Sequence, residues 1–145
     1  MAVNQLSVFL ENREGRLEEV FDHLADAGIN VVSASVADTK DYGILRTIVT
    51  DSEKAQKVLK EHGISSKVIP VLAINISHSV GGLDKVLHAI ADANQNIAYL
   101  YGLSVGDKGA SIAIKTSDIA ATEAALQGMK DVQIFDDASI AEYME

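Results

Sequence analysis

The stretch "ENREGRLEEVFDHLADAGINV", Glu11 to Val31, opens with a polar loop that closes on Gly15. It continues as an amphipathic helix and stops at Gly28, before Asn30 begins a run rich in Val and Ser. Leu17, Val20, Phe21, Leu24 and Ala25 follow the i, i+3, i+4, i+7, i+8 spacing of one helix face. A loop feeding a helix N-terminus presents N–H groups without intrahelical acceptors and a partial positive charge. The stretch therefore predicts a helix and, in front of it, a place for a small carboxylate.

The same arrangement returns once. Sliding the chain by 66 places pairs Leu6 with Leu72, Gly15 with Gly81, Leu17 with Leu83, Val20 with Val86, Asp26 with Asp92 and Asn30 with Asn96. The same ungapped shift continues through Gly43 and Gly109, Ile48 and Ile114, Thr50 and Thr116, and Ala55 and Ala121. Such repetition predicts two related units, residues 1–70 and 71–145, meeting at "KVIPVLAINI" with only Pro70 as punctuation. With no flexible linker, they are expected to pack rigidly side by side.

Around the opening stretch, "LSVFLE" alternates, which predicts a half-covered strand with Leu6, Val8 and Leu10 on one side and Ser7, Phe9 and Glu11 on the other. "NVVSASVA" and "ILRTIVT" are rich in β-branched residues and flank the turn "DTKDYG", as a hairpin does. "SEKAQKVLKEHG" reads as a helix with a Ser cap, carrying Ala55, Val58 and Leu59 inward and stopping at Gly63, and "SSKVIP" as a fourth strand. The second half repeats the order from "VLAINIS" to "VQIFD", with a short helix expected in the tail "ASIAEYME". The class is α+β: two ferredoxin-like β-α-β-β-α-β units in tandem, each an antiparallel sheet with its helices on one face. Units of this size bury a modest share of their surface, so a homodimer of the tandem is expected.

Composition narrows the function. Of 145 residues, 48% are hydrophobic and 23% charged, as in packed globular proteins. A formal charge of −9 with no Lys/Arg cluster argues against nucleic acid. Cysteine is absent, which excludes disulfides and thiolate chemistry. No signal-like N-terminus is present and apolar runs stop well short of the roughly 20 residues that span a bilayer, so a cytoplasmic protein without a membrane segment is expected. The four histidines show no metal-ligand spacing, and no nucleophile, base and orienting group can be assembled. No catalytic residue, metal or cofactor is therefore expected. An RNA-recognition reading would rest on Tyr99 and Tyr101 alone, against the net charge.

The combination "ENREG-LEEV-LADAGINV", with its repeat "HSVGGLDKVLHAIADANQNI", resembles the ACT domain, a small regulatory module. The resemblance covers about 130 residues. It implies a non-catalytic sensor that holds an amino acid between two paired domains and acts on a separate regulated enzyme. By the same resemblance, each asparagine faces the loop of the other domain. Ser77, His78, Val80, Gly81, Gly82 and Leu83 would then work with Asn30 and Val31, and Asn12, Arg13, Glu14, Gly15, Arg16 and Leu17 with Asn96 and Ile97. The second loop is expected to be the better cradle. Its paired glycines let backbone approach a ligand, whereas Glu11 and Glu14 of the first repel a carboxylate, and Glu14 stands where many family members have proline.

Blander readings stand beside these. Gly15 and Gly81 also suit plain tight turns, and Asn30 and Asn96 also suit satisfied turn backbone. Arg13 and Arg16 read as solvated loop charges, and His23, His62 and His88 as surface residues. A pairing module without a small ligand, and a small ferredoxin-like enzyme, are the alternative functions.

Overall fold

The computed structural model describes residues 2–11, 13–38, 41–77, 80–103 and 109–141. The chain divides into two compact units, Asn4–Ile69 and Pro70–Glu145 with Met1–Val3. The first comprises β1 (Val3–Glu11), α1 (Arg16–Asp26), β2 (Val31–Asp38), β3 (Tyr42–Val49) and α2 (Ser52–Glu61), and ends within β4 (Ser66–Ile76). The second continues from β4 through α3 (Gly82–Asp92), β5 (Ile97–Leu103), β6 (Ala110–Thr116), α4 (Ile119–Leu126) and β7 (Val132–Phe135) to α5 (Asp137–Ala141). The two strands expected from "SSKVIP" and "VLAINIS" are thus one strand. Pro70 lies inside it, at the boundary of the two units, and does not interrupt the strand.

In the first unit β1 pairs antiparallel with β3, and β3 with β2. Leu6, Val8 and Leu10 of β1 and Leu45 of β3 share one face, against which α1 sets Val20 and Leu24, and α2 sets Ala55 and Leu59. Both helices therefore cover the same side. Each fully buried aliphatic side chain contributes roughly 1.5–3 kcal/mol. The second unit has the order β5-β6-β4-β7, all antiparallel, with Leu72, Ile74, Ile112 and Ile114 covered by Val86 and Ile90 of α3 and Leu126 of α4. Among the described residues no helix is long and apolar enough to cross a membrane.

The helix ends explain the boundaries. Gly28, at φ 75°, donates its N–H to the Ala25 carbonyl and Ile29 donates to Leu24, which closes α1 in a Schellman turn. Gly63 and Ile64 close α2 in the same way. In α3 the left-handed position falls on Asn94, at φ 59°, a residue whose short amide tolerates that conformation. At the other end of α2, Asp51 and not Ser52 is the cap: the Asp51 carboxylate accepts from the Lys54 N–H at 3.0 Å. Asp118 does the same for α4 through Ala121 at 3.1 Å.

Three sequence expectations change in detail. β1 is not half-covered along its length: on its second face Gln5 and Ser7 are buried, and only Phe9 and Glu11 are open. His23 is not a plain surface residue, since its ring stacks on that of His62, with centroids 3.7 Å apart. The ungapped repeat also breaks. Asn30 bonds Thr50, and Asn96 bonds Ser117, so the offset is 66 at the asparagines and 67 at their partners. The caps Asp51 and Asp118 and the buried pair Leu59 and Leu126 keep 67. The additional residue falls between Leu103 and Ser111. The equivalent of Thr47 is therefore Ile114, each facing the first strand of its unit, at Leu6 and Leu72 respectively.

Candidate functional site

The two glycine loops share one geometry. Gly15 precedes α1 at φ 79° and ψ −1°, and Gly81 precedes α3 at φ 80° and ψ 9°, both left-handed. A residue with a Cβ pays for that conformation, which is why glycine stands at both. Each glycine carbonyl accepts the first helical bond, from Glu19 and from Lys85, both at 3.0 Å. Neither glycine has a side chain with which to cap. α1 and α3 therefore begin with first-turn N–H groups that the cap residue leaves open, in contrast to the aspartate-capped α2 and α4.

Beyond the glycines the loops diverge. Arg16, the counterpart of Gly82, is not a solvated charge: its side chain is only 10% exposed, because its guanidinium folds against a carboxylate cluster. Arg16 Nη1 donates to Glu19 Oε2 at 3.1 Å, and Arg16 Nη2 lies 3.9 Å from Glu11 Oε1. Arg13 is exposed, as expected, and bridges the same two carboxylates at 3.2 Å and 3.4 Å. Glu14 is exposed, and Leu17 packs onto the core of its own unit. Val31 and Ile97 also pack onto their respective cores. In the second loop Gly82 is buried at the start of α3, Val80 is fully exposed and Leu83 is 41% exposed. Ser77 donates its N–H to the Asp131 carbonyl. Asn12 and His78 lie outside the described residues.

Asn30 and Asn96 are exposed and hold corresponding turns. Asn30 donates its N–H to Thr50 Oγ1 and accepts from the Thr50 N–H, both at 3.1 Å. Asn96 makes the same two bonds with Ser117, at 3.4 Å and 3.2 Å. These are backbone groups, so the bonds shape the turn and do not use the side-chain amides.

Hydrogen bonding from Arg16 holds the Glu19 carboxyl below the usual glutamate range, helped by the charges of Arg16, Arg13 and His23 and opposed by desolvation. A carboxyl lowered by folding stabilises the protein above its unfolded value, and the stabilisation is lost as pH falls through the folded one. Glu19→Gln is therefore expected to flatten the loss of stability below pH 4.5. Melting temperatures of the two proteins across that range check it, and identical acid limbs would show that the cluster is not coupled to folding.

The sequence pattern of a family described as an ACT domain pair matches residues 1–144. The chain belongs to the ACT domain pair family. This ACT pair resembles the crystal structure of a Bacteroides thetaiotaomicron protein at 33% identity and a TM-score of 0.87, covering 98% of this chain and 97% of that one. It shares its fold with the regulatory subunit of aspartate kinase from Thermus thermophilus, at 18% identity, a TM-score of 0.60 and coverage of 86% and 88%. The corresponding subunit from Thermus flavus gives 18%, 0.58, and 85% and 89%. No curated protein sequence matches the ACT pair.

Among the described residues of the first unit, two hollows bear on the site. One, of about 580 Å³, runs beside α2 among Lys57, Lys60, Glu53 and Ser66 and includes none of the loop residues. The other involves Phe9, Asp41 and Tyr42, which motif reading passed over. The signal for them was faint: an aromatic residue at an outward strand position immediately before the loop, and a second one across the hairpin.

Proposed function

We propose that this ACT pair is a non-catalytic regulatory sensor. It binds an amino acid or a related small carboxylate, and its ligand state is read by a separate enzyme. The supporting observation is that the helices following the duplicated first loops open on an uncapped left-handed glycine, whereas the other helix of each unit carries its own aspartate cap. A ligand carboxylate supplies the missing acceptor and meets the positive end of the helix. The fold shared with aspartate kinase regulatory subunits supports a role in controlling another protein.

Within this reading the second loop is the stronger site. Gly82 puts no side chain where Arg16 and its carboxylates stand in the first. Asn30 is proposed as its polar partner, and Asn96 as that of the weaker first loop. A melting screen against the twenty amino acids tests the function, because ligand at 100 times its dissociation constant adds roughly 2.7 kcal/mol. Silence across the screen would favour a pairing module without a small ligand, and turnover of a bound amino acid would make the protein an enzyme.

Calorimetric titration tests the site. Asn30→Ala is expected to weaken binding by roughly 1–3 kcal/mol through loss of a polar partner to a charged group, and Asn96→Ala by less. Gly82→Val should weaken it further, and because Gly82 is buried at the start of α3 its ligand-free melting temperature is measured alongside. A larger loss for Asn96→Ala would reverse the assignment.

A further inference from the structure

The hollow beside the first loop has a volume of about 350 Å³, at the lower end of the roughly 300–1,000 Å³ range of small-molecule sites. Its walls carry three kinds of chemistry. Phe9 and Tyr42 are 44% and 45% exposed, with ring centroids 6.4 Å apart and planes tilted by 53°, and Leu10 adds aliphatic surface. Arg16 lines the hollow with its guanidinium, the residue as a whole is more than nine-tenths buried, and among the described residues its Nε has no hydrogen-bond partner. Glu11 and Asp41 supply two exposed carboxylates.

Each simple ligand leaves part of this set unused. A lone carboxylate would meet Arg16 but also two negative side chains. A lone amine would suit Glu11 and Asp41 but also meet the positive guanidinium of Arg16. We propose that this pocket binds the zwitterion of an α-amino acid with an apolar side chain: carboxylate toward Arg16, ammonium between Glu11 and Asp41, side chain against Phe9 and Tyr42. Glu11 can turn toward the ammonium at small cost, because its ion pairs with Arg16 at 3.9 Å and Arg13 at 3.4 Å are made by a side chain that is 69% exposed. The inference rests on the reading that the chain takes amino acids. It adds a place within the first unit alone, and a side-chain class.

The test is calorimetry on the full chain with three probes sharing one ring: L-phenylalanine, 2-phenylethylamine, which lacks the carboxylate, and 3-phenylpropanoate, which lacks the ammonium. Phenylalanine is expected to bind about tenfold or more tighter than either. Asp41→Asn and Tyr42→Ala, both at exposed positions, should each weaken it about fivefold or more, Asp41→Asn without lowering the melting temperature and Tyr42→Ala with the small loss expected for a cross-strand aromatic pair. Equal binding of the three probes, no phenylalanine binding, or binding unchanged in both variants would overturn the proposal. Gly82→Val separates this pocket from the second loop. Loss of phenylalanine binding in Gly82→Val with none in Tyr42→Ala removes the pocket and keeps the sensor reading. The opposite pattern supports the pocket and removes the second-loop site.

Discussion

Gly109→Ala is expected to destabilise the protein by about 2–4 kcal/mol, combining a left-handed backbone that costs a Cβ-bearing residue roughly 1–2 kcal/mol with a local overpacking cost of similar size. Gly109 sits at φ 79°, and a Cβ built there would overlap the carbonyl oxygen of Ile76 and lie 3.0 Å from its carbon. Those are backbone atoms of β4, which β6 and β7 hold from both sides, so relief requires moving a central strand. Gly102→Ala is the control: nothing lies within 4 Å of a Cβ there and its φ is ordinary, so a change within about 0.5 kcal/mol is expected. Urea unfolding followed by circular dichroism measures both, and equal stabilities would show that the chain does not approach itself so closely at residue 109.

Leu24→Ala and Ile90→Ala should each cost about 2–5 kcal/mol. They occupy corresponding positions of α1 and α3, both fully buried, each in its own core. Truncation removes the transferred side chain and leaves a cavity that strands on one side and a second helix on the other prevent from collapsing. Val36→Ala, at a half-exposed position of β2, should cost well under 1 kcal/mol by the same assay. If Leu24→Ala were as mild as Val36→Ala, the helix would not be packed as described.

Periodicity was enough to place the helices and most strands, because the faces that pack are the faces that alternate. Gly28 and Gly63 announced two helix ends, but Asn94, doing the same work, did not, since asparagine has many uses. The cap of α2 was misread by one residue: Asp51 and Ser52 are both good caps, and only backbone dihedrals decide between them. Burial of Gln5 and Ser7 was invisible, because polar residues alternating with apolar ones look the same whether water or protein covers them. At the site, the glycine junctions were legible because left-handed backbone restricts residue type. The burial of Arg16 was not. It depends on Glu19 at i+3, a spacing that surface pairs share, and on Glu11 before the loop, a contact with no spacing signature.

The step in offset from 66 to 67 has a consequence for anyone who would build a symmetric protein from the two halves. A consensus written from an ungapped comparison averages Ile48 with Ile114, yet Ile48 pairs with Ser33 on the edge strand while Ile114 stands opposite Leu72 inside the second core. In a strand, an error of one place exchanges the two faces. Such a consensus would mix residues of the two faces from the third strand onward. Moving the gap into the hairpin turn restores the pattern, and expression of the two designs side by side would show which reading of the duplication the chain itself obeys.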